Sequence, residues 1–135
     1  MTHFLIRDAA RLLGVSDDTV RRWVDAGSLP ATRNESGRKV IDGVALAEFS
    51  RRHAATPAPD PSGVSRSARN RFVGLVTRVV MDGVMAQVEL QCGPHTVVSL
   101  MSSEAARDLE LQPGRRAVAG VKATTVSVEP PAGQS

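Results

Sequence analysis

Residues 67–72 read SARNRF, which gathers a hydroxyl, two guanidinium groups and a carboxamide into one short run. Ser67, Arg69, Asn70 and Arg71 all carry hydrogen-bond donors, and no carboxylate stands among them. The run follows a proline-rich stretch and precedes the β-branched segment FVGLVTRVV. It is therefore either the end of a linker or half of a polar site whose other half lies elsewhere in the chain. A second group of donors lies nearer the N-terminus. Val20, Trp23 and Val24 fall on one helical stripe, which leaves Thr19, Arg21 and Arg22 off that stripe and able to reach phosphates or base edges. Asp17 and Asp18 would repel a phosphate, so they are expected in capping or base-edge roles. Arg33, Arg38 and Lys39 flank a glycine-containing turn and form a second basic patch. Catalytic groupings are missing: no Ser/His/Asp or Cys/His constellation and no paired carboxylates occur, so the chain is not expected to be an enzyme. His3 and His53 have no partner at metal-ligand spacing.

The elements that must carry these residues fall into two halves. In residues 1–52 the apolar period is helical. Ile6, Ala9, Ala10 and Leu13 define a first helix ending at Gly14. Ser16 is the expected N-cap of a second helix that stops at Gly27, and Val44, Leu46, Ala47 and Phe49 mark a third. Residues 53–65 carry Pro57, Pro59 and Pro61 in alternation and read as an extended linker. Over residues 66–130 the period changes to two: Val84, Ala86, Val88, Leu90 and Cys92 alternate with more polar residues. Asp82-Gly83 signals a hairpin, and SSEAARDLEL a short helix capped by Ser102 or Ser103. Two last strands are expected at about 116–121 and 123–129, followed by a tail over 131–135. FVGLVTRVV is apolar on both faces, which calls for a neighbouring subunit to cover one of them.

Charge separates the halves as well. Residues 1–56 hold 9 Lys/Arg against 7 Asp/Glu, residues 57–71 hold 3 against 1, and residues 72–135 hold 5 against 6. The net +3 is therefore an N-terminal excess, and the C-terminal half needs another explanation. A single cysteine, Cys92, fits a reducing compartment, and no apolar run is long enough for a membrane span. A cytoplasmic protein without a membrane partner is expected. Cys92 is expected in the core and His95 in solvent.

The string AARLLGVSDDTVRRWVDAGSLPATR…GRKV, within residues 4–52, resembles the winged helix-turn-helix of the MerR and excisionase superfamily, particularly its short BldC-like form. That resemblance implies DNA as partner, with the second helix in the major groove and the wing on the backbone. Asp18, Thr19, Arg21, Arg22, Arg33, Arg38 and Lys39 are the residues it points to. SARNRFVGLVTRVV together with LQPGRRAVAGVKATTVSVE resembles the molbindin, or Mop, domain of the TOBE group, including the ligand domain of ModE-type regulators. This second resemblance implies a fold and a ligand: an OB-like five-stranded β-barrel with one short helix, binding molybdate or tungstate. It also implies that the first motif of one subunit meets the second motif of another, in a homo-oligomer such as a dimer or trimer of dimers. Tetrahedral dianions without protons call for donors and positive charge. On the family pattern the contacts are Ser67, Arg69, Lys122 and the backbone of Ala123, with Asn70 ordering the start of the strand. Ser102 adds a hydroxyl at the start of the short helix. Ala105 stands where relatives often carry serine, a gap Ser103 is the candidate to fill, and Glu104 must point away from the anion.

The expected fold is thus α+β, a winged helix-turn-helix joined to a Mop domain. The expected function is a molybdate-responsive transcriptional regulator. Two rivals stand beside it: a molybdate store, and an architectural DNA-binding protein that uses the Mop fold only to oligomerise.

Overall fold

The computed structural model describes residues 2–54, 59–62 and 69–132. The chain divides into two compact units, Met1–Thr56 and Pro57–Ser135.

In the first unit, Gly14 ends helix α1 (Ile6–Leu13) by taking a left-handed φ of 71° and turning its N–H back to the Ala10 and Arg11 carbonyls. Two residues later the Ser16 hydroxyl accepts the Thr19 N–H at 3.2 Å and starts α2 (Asp17–Asp25). The reversal is therefore fixed by local chemistry at both ends. Asp42 starts α3 (Gly43–His53) in the same way, accepting the Ala45 N–H at 3.1 Å. Strands β1 (His3–Leu5), β2 (Thr32–Arg33) and β3 (Lys39–Asp42) form a small antiparallel sheet in the order β1-β3-β2. Ala9, Ala10, Val20, Leu29, Ile41, Leu46 and Phe49 form the core. Two alanines on α1 let α2 approach closely, and Trp23 leans on Phe49 with ring centroids 4.9 Å apart. The third helix departs from its expected stripe: Leu46 and Phe49 are buried, but Val44 is 78% exposed and Ala47 faces solvent. Helical spacing put these four residues together, but only the arc facing α1 and α2 finds a partner.

In the second unit, β4 (Asn70–Met81), β5 (Met85–Cys92) and β6 (His95–Ser102) run as an antiparallel meander. Helix α4 (Ser103–Asp108) follows, and β7 (Arg116–Val121) returns to the other side of β4, giving the order β6-β5-β4-β7. The long strand β4 serves two partners. Asn70 to Leu75 pair with β7, and Leu75 to Met81 pair with β5, with a register break between Val76 and Arg78 that bends the strand. The concave face collects Val76, Val88, Leu90 and Cys92, with Val97, Met101, Leu111, Ala117 and Ala119 packed against them. Cys92 is buried and His95 exposed.

Three sequence expectations are corrected here. First, the sheet is a four-stranded half-barrel among the described residues, not a five-stranded barrel. The segment expected as a last strand at 123–129 begins instead with a 3-10 turn, Ala123–Thr125. The Lys122 carbonyl accepts both the Thr125 N–H at 2.9 Å and the Thr125 hydroxyl at 2.8 Å. A threonine that closes a local turn in this way competes with a ladder that has no neighbouring strand to offer. Second, the hairpin signalled by Asp82-Gly83 does form between β4 and β5, but Val84 is not the first residue of the returning strand. Val84 joins the loop, is 73% exposed, and drops out of the buried alternation. The Asp82 carboxylate causes this by accepting the N–H groups of both Val84 and Met85 at 2.7 Å. Third, Ser103 is unavailable as a replacement hydroxyl. It is buried, and its Oγ donates to the Asp82 carbonyl at 2.8 Å.

Candidate functional site

The antiparallel pairing of β4 and β7 sets Asn70 opposite Val121 and Arg71 opposite Gly120. Arg69 and Lys122 are the residues immediately beyond that last rung, one on each strand, at the same end of the pair. The two basic motifs, far apart in sequence, are thus joined by register. Asn70 closes that end by donating from Nδ2 to the Val121 carbonyl at 3.2 Å. Ala123 follows Lys122 directly as the first residue of the 3-10 turn. Ser67 lies outside the described residues.

Three cations, Arg69, Arg71 and Lys122, belong to this end of the strand pair, and they differ in their neighbours. Arg71 donates from Nε to the Asp60 carboxylate at 2.6 Å and from its terminal nitrogen to the Ser62 hydroxyl at 2.9 Å. The Arg71 hydrogen bond, with further bonds from Ser62, holds the Asp60 carboxyl far below the usual carboxylate range, and Asp60 in turn raises the Arg71 pKa. Arg69 and Lys122 have no ion-pair partner among the described residues. Two positive charges at one end of a strand pair without a counter-ion among the described residues make a surface that favours an anion.

Ser102 is elsewhere. It sits opposite Met85 at the far end of the sheet, where its hydroxyl accepts the Ala105 N–H at 3.0 Å as the cap of α4. Within one chain the structure therefore brings together Arg69, Asn70, Lys122 and Ala123, but not Ser102. Glu104 lies exposed in the first turn of α4, at that same far end. The concave face opens between the two edge strands into a trough of about 720 Å³, apolar at its floor and rimmed by Ser62, Arg71, Arg116 and Lys122.

The first unit carries the other candidate surface. Arg7, Arg21, Arg33, Arg38 and Lys39 line one notch of about 410 Å³, with Asp17 and Asp25 on its wall. Lys39 is partly answered by Asp25 at 3.5 Å. On α2, Arg21 pairs with Asp18 at 3.2 Å. Arg22 donates to the Thr19 hydroxyl at 3.2 Å, which lies 2.9 Å from the Ser16 hydroxyl. At the tip between β2 and β3, Asn34 accepts the N–H groups of Ser36 and Arg38 at 3.0 Å, and Gly37 takes a φ of 77°. Arg33 donates to the Gly37 carbonyl at 2.6 Å, which ties the tip together. Arg7 is the residue that sequence reasoning missed. On helical periodicity alone it is an ordinary solvent-facing arginine. It joins the notch because β1 pairs with β3, and a three-residue strand leaves no periodic signal.

Comparison with known domains matches residues 6–54 to a helix-turn-helix domain and residues 66–128 to the TOBE domain. Among curated proteins none matches the sequence. Solved structures similar to the C-terminal unit include a molybdate-binding protein from Sporomusa ovata, 30% identical over 50% of this chain and 100% of that one, with a TM-score of 0.48. MopII from Clostridium pasteurianum is 31% identical over 49% of this chain and 100% of its own, with a TM-score of 0.46. The cytoplasmic molybdate-binding protein ModG, solved with molybdate bound, is 37% identical over 47% of this chain and 46% of its own, with a TM-score of 0.44. The chain thus carries a helix-turn-helix domain in its first half and a TOBE domain in its second.

Proposed function

We propose that the chain is a molybdate-responsive DNA-binding protein acting in the cytoplasm. The observation that carries the anion half is the register whose last rung, Asn70 opposite Val121, leaves Arg69 and Lys122 next in the chain at the same end, with no carboxylate paired to either among the described residues. Both are charge-assisted donors, suited to a tetrahedral dianion that accepts but does not donate. The TOBE match and the molybdate bound by ModG favour molybdate among such anions. Asn70 and the Ala123 backbone belong to the same end of the sheet and extend the donor set; Ser67 is assigned to it on the sequence motif alone. Ser102, at the opposite end, can join that set only from a second copy. The ligand site is therefore assigned to a homo-oligomer.

The DNA half rests on the helix-turn-helix match and on the five cations around the notch of the first unit. Arg22, Arg33, Arg38 and Lys39 are assigned to phosphates, and Thr19, with its hydroxyl beside Arg22, to the same backbone. Arg7 joins them.

Calorimetry of the full chain with molybdate, tungstate, sulfate and phosphate tests the anion half. Molybdate and tungstate are expected to bind. Phosphate is expected to bind poorly, because near neutral pH it carries a proton for which a donor-only site has no acceptor. Equal heats for all four anions, or none, would overturn the reading. Duplex binding across a salt series tests the DNA half.

A further inference from the structure

Asp18 is an acid on a surface otherwise built for a polyanion. It stands on the outer, N-terminal face of α2, and its side chain is 89% exposed. Capping does not explain it, because Ser16 already accepts the Thr19 N–H and, among the described residues, no backbone N–H donates to the Asp18 side chain. Favourable interaction with the helix dipole would be served as well by Asp17, its neighbour in the same turn. What Asp18 does have is a committed partner: Arg21 Nη1 lies 3.2 Å from its Oδ1. The adjacent Arg22 is committed differently, to the Thr19 hydroxyl. Two neighbouring arginines thus leave α2 with different partners, one on an acid and one on a neutral hydroxyl.

We infer that Asp18 and Arg21 act as one unit that reads a single G·C base pair in the major groove. This rests on the DNA-binding reading of the first unit and adds the specificity it would have. The chemistry follows from the groove edges. Guanine presents O6 and N7, two acceptors that match the two-pronged donor of a guanidinium, and cytosine presents the N4 amino donor that a carboxylate accepts. Guanine O6 and cytosine N4 are hydrogen-bonded to each other within the pair, so they lie side by side. A carboxylate and a guanidinium already bonded to each other present an acceptor and a donor side by side in the same way. An A·T pair also offers a donor and an acceptor, but thymine supplies one acceptor, O4, beside a methyl group that meets the guanidinium poorly. The repulsion between Asp18 and the phosphates is offset by the cations Arg7, Arg33 and Arg38 around the notch beside Arg21. Pre-pairing also holds the Arg21 fork near one geometry before DNA arrives, which lowers the entropy lost on docking.

The test is selection from a random duplex library with the full chain. It is followed by anisotropy titrations of wild type, Asp18→Ala, Asp18→Asn, Arg21→Ala and Arg21→Lys across a salt series. Wild type is expected to require G·C at one position, and exchanging that pair for A·T should weaken binding by roughly 5- to 150-fold. Asp18→Ala and Arg21→Ala should both lose discrimination at that same pair and at no other. Asp18→Asn should move the preference there toward A·T, because a carboxamide matches adenine N6 and N7. Both side chains are exposed, so the variants should keep the wild-type melting temperature within a few degrees. Variants that discriminate as wild type does overturn the inference. So do variants that lose affinity equally for every sequence, since that marks phosphate contacts alone. Salt-dependent binding with no preferred base pair removes the inference and leaves the DNA reading standing. Absence of binding to any duplex removes both.

Discussion

Arg69, Arg71 and Lys122 carry like charge at one end of the β4–β7 pair, yet among the described residues only Arg71 has its charge answered, by Asp60. That difference predicts the outcome of three substitutions. Arg69→Ala and Lys122→Ala should each weaken molybdate binding by about 1.5–3 kcal/mol, the scale of a hydrogen bond to a charged group. Arg71→Ala should change molybdate affinity by less than either, because it removes a cation already neutralised by a carboxylate. Calorimetry on the three variants checks the order, and a dominant loss at Arg71 would place the anion deeper under the rim of the trough. The contrast was only half legible in the sequence. SARN could be read as a donor cluster because donors without acids are visible in composition. The Asp60–Arg71 pair could not, because it reaches across the proline-rich segment, where no period connects the two residues. Gly74 is a further residue-scale test. A Cβ there would press on the Gln91 backbone carbonyl and lie 2.6 Å from Cys92 Sγ. Gly74→Ala should therefore destabilise the second unit by about 1–3 kcal/mol, the scale of overpacking. Chemical denaturation of the full chain would reveal this, and an unchanged unfolding midpoint would show that β5 can retreat.

The strands and helices were legible wherever a period ran long enough and a local signal ended it. The α1–α2 reversal has both: an apolar stripe on each helix, Gly14 to stop one and Ser16 to start the other. The alternation of Ala86, Val88, Leu90 and Cys92 likewise emerged as the buried face of β5. What failed were the decisions made by side-chain competition. Thr125 folding back on Lys122 and Asp82 gathering two backbone N–H groups each replace a regular ladder by a local motif, and propensity alone does not weigh the two. The Asp82 motif has a pH signature. Hydrogen bonds from the Met85 and then the Val84 N–H lower the Asp82 pKa in the folded chain. A depressed carboxyl pKa contributes stability that is complete above its unfolded value, about 4, and lost as pH falls through the folded value. Asp82→Ala should therefore lower the melting temperature at pH 7, and the gap to wild type should shrink as the pH is taken below about 4. A gap that stays constant across that window would mean that the loop is held by packing and not by the carboxylate.

At the scale of the whole molecule, the outer face of the half-barrel is unfinished. Leu75, Val80, Val98 and Leu100 are all about half exposed or more, and the register aligns Val80 and Leu100 across Gln87. Exposed apolar area of that kind marks an association surface. The same need appears at the candidate site, where Ser102 stands at the opposite end of the sheet from Arg69 and Lys122. An anion that requires donors from two copies binds the assembly and not the single chain. At a hundred times its Kd, each bound anion then stabilises the assembly by about 2.7 kcal/mol, roughly a hundredfold shift in the concentration at which it forms. On the proposed function, DNA affinity should respond, because an assembly would present several helix-turn-helix heads to one duplex, and linked heads raise affinity without new contacts. A ligand changes DNA affinity only through its differential affinity for two states, and here those states differ in the number of heads. Molybdate should therefore strengthen DNA binding most at protein concentrations near the assembly midpoint, and little where assembly is already complete. Sedimentation and DNA titrations run in parallel, with and without molybdate, resolve this. A large molybdate effect on DNA affinity while the sedimenting species stays the same size would show that the anion acts within one assembly, by altering how the heads are held.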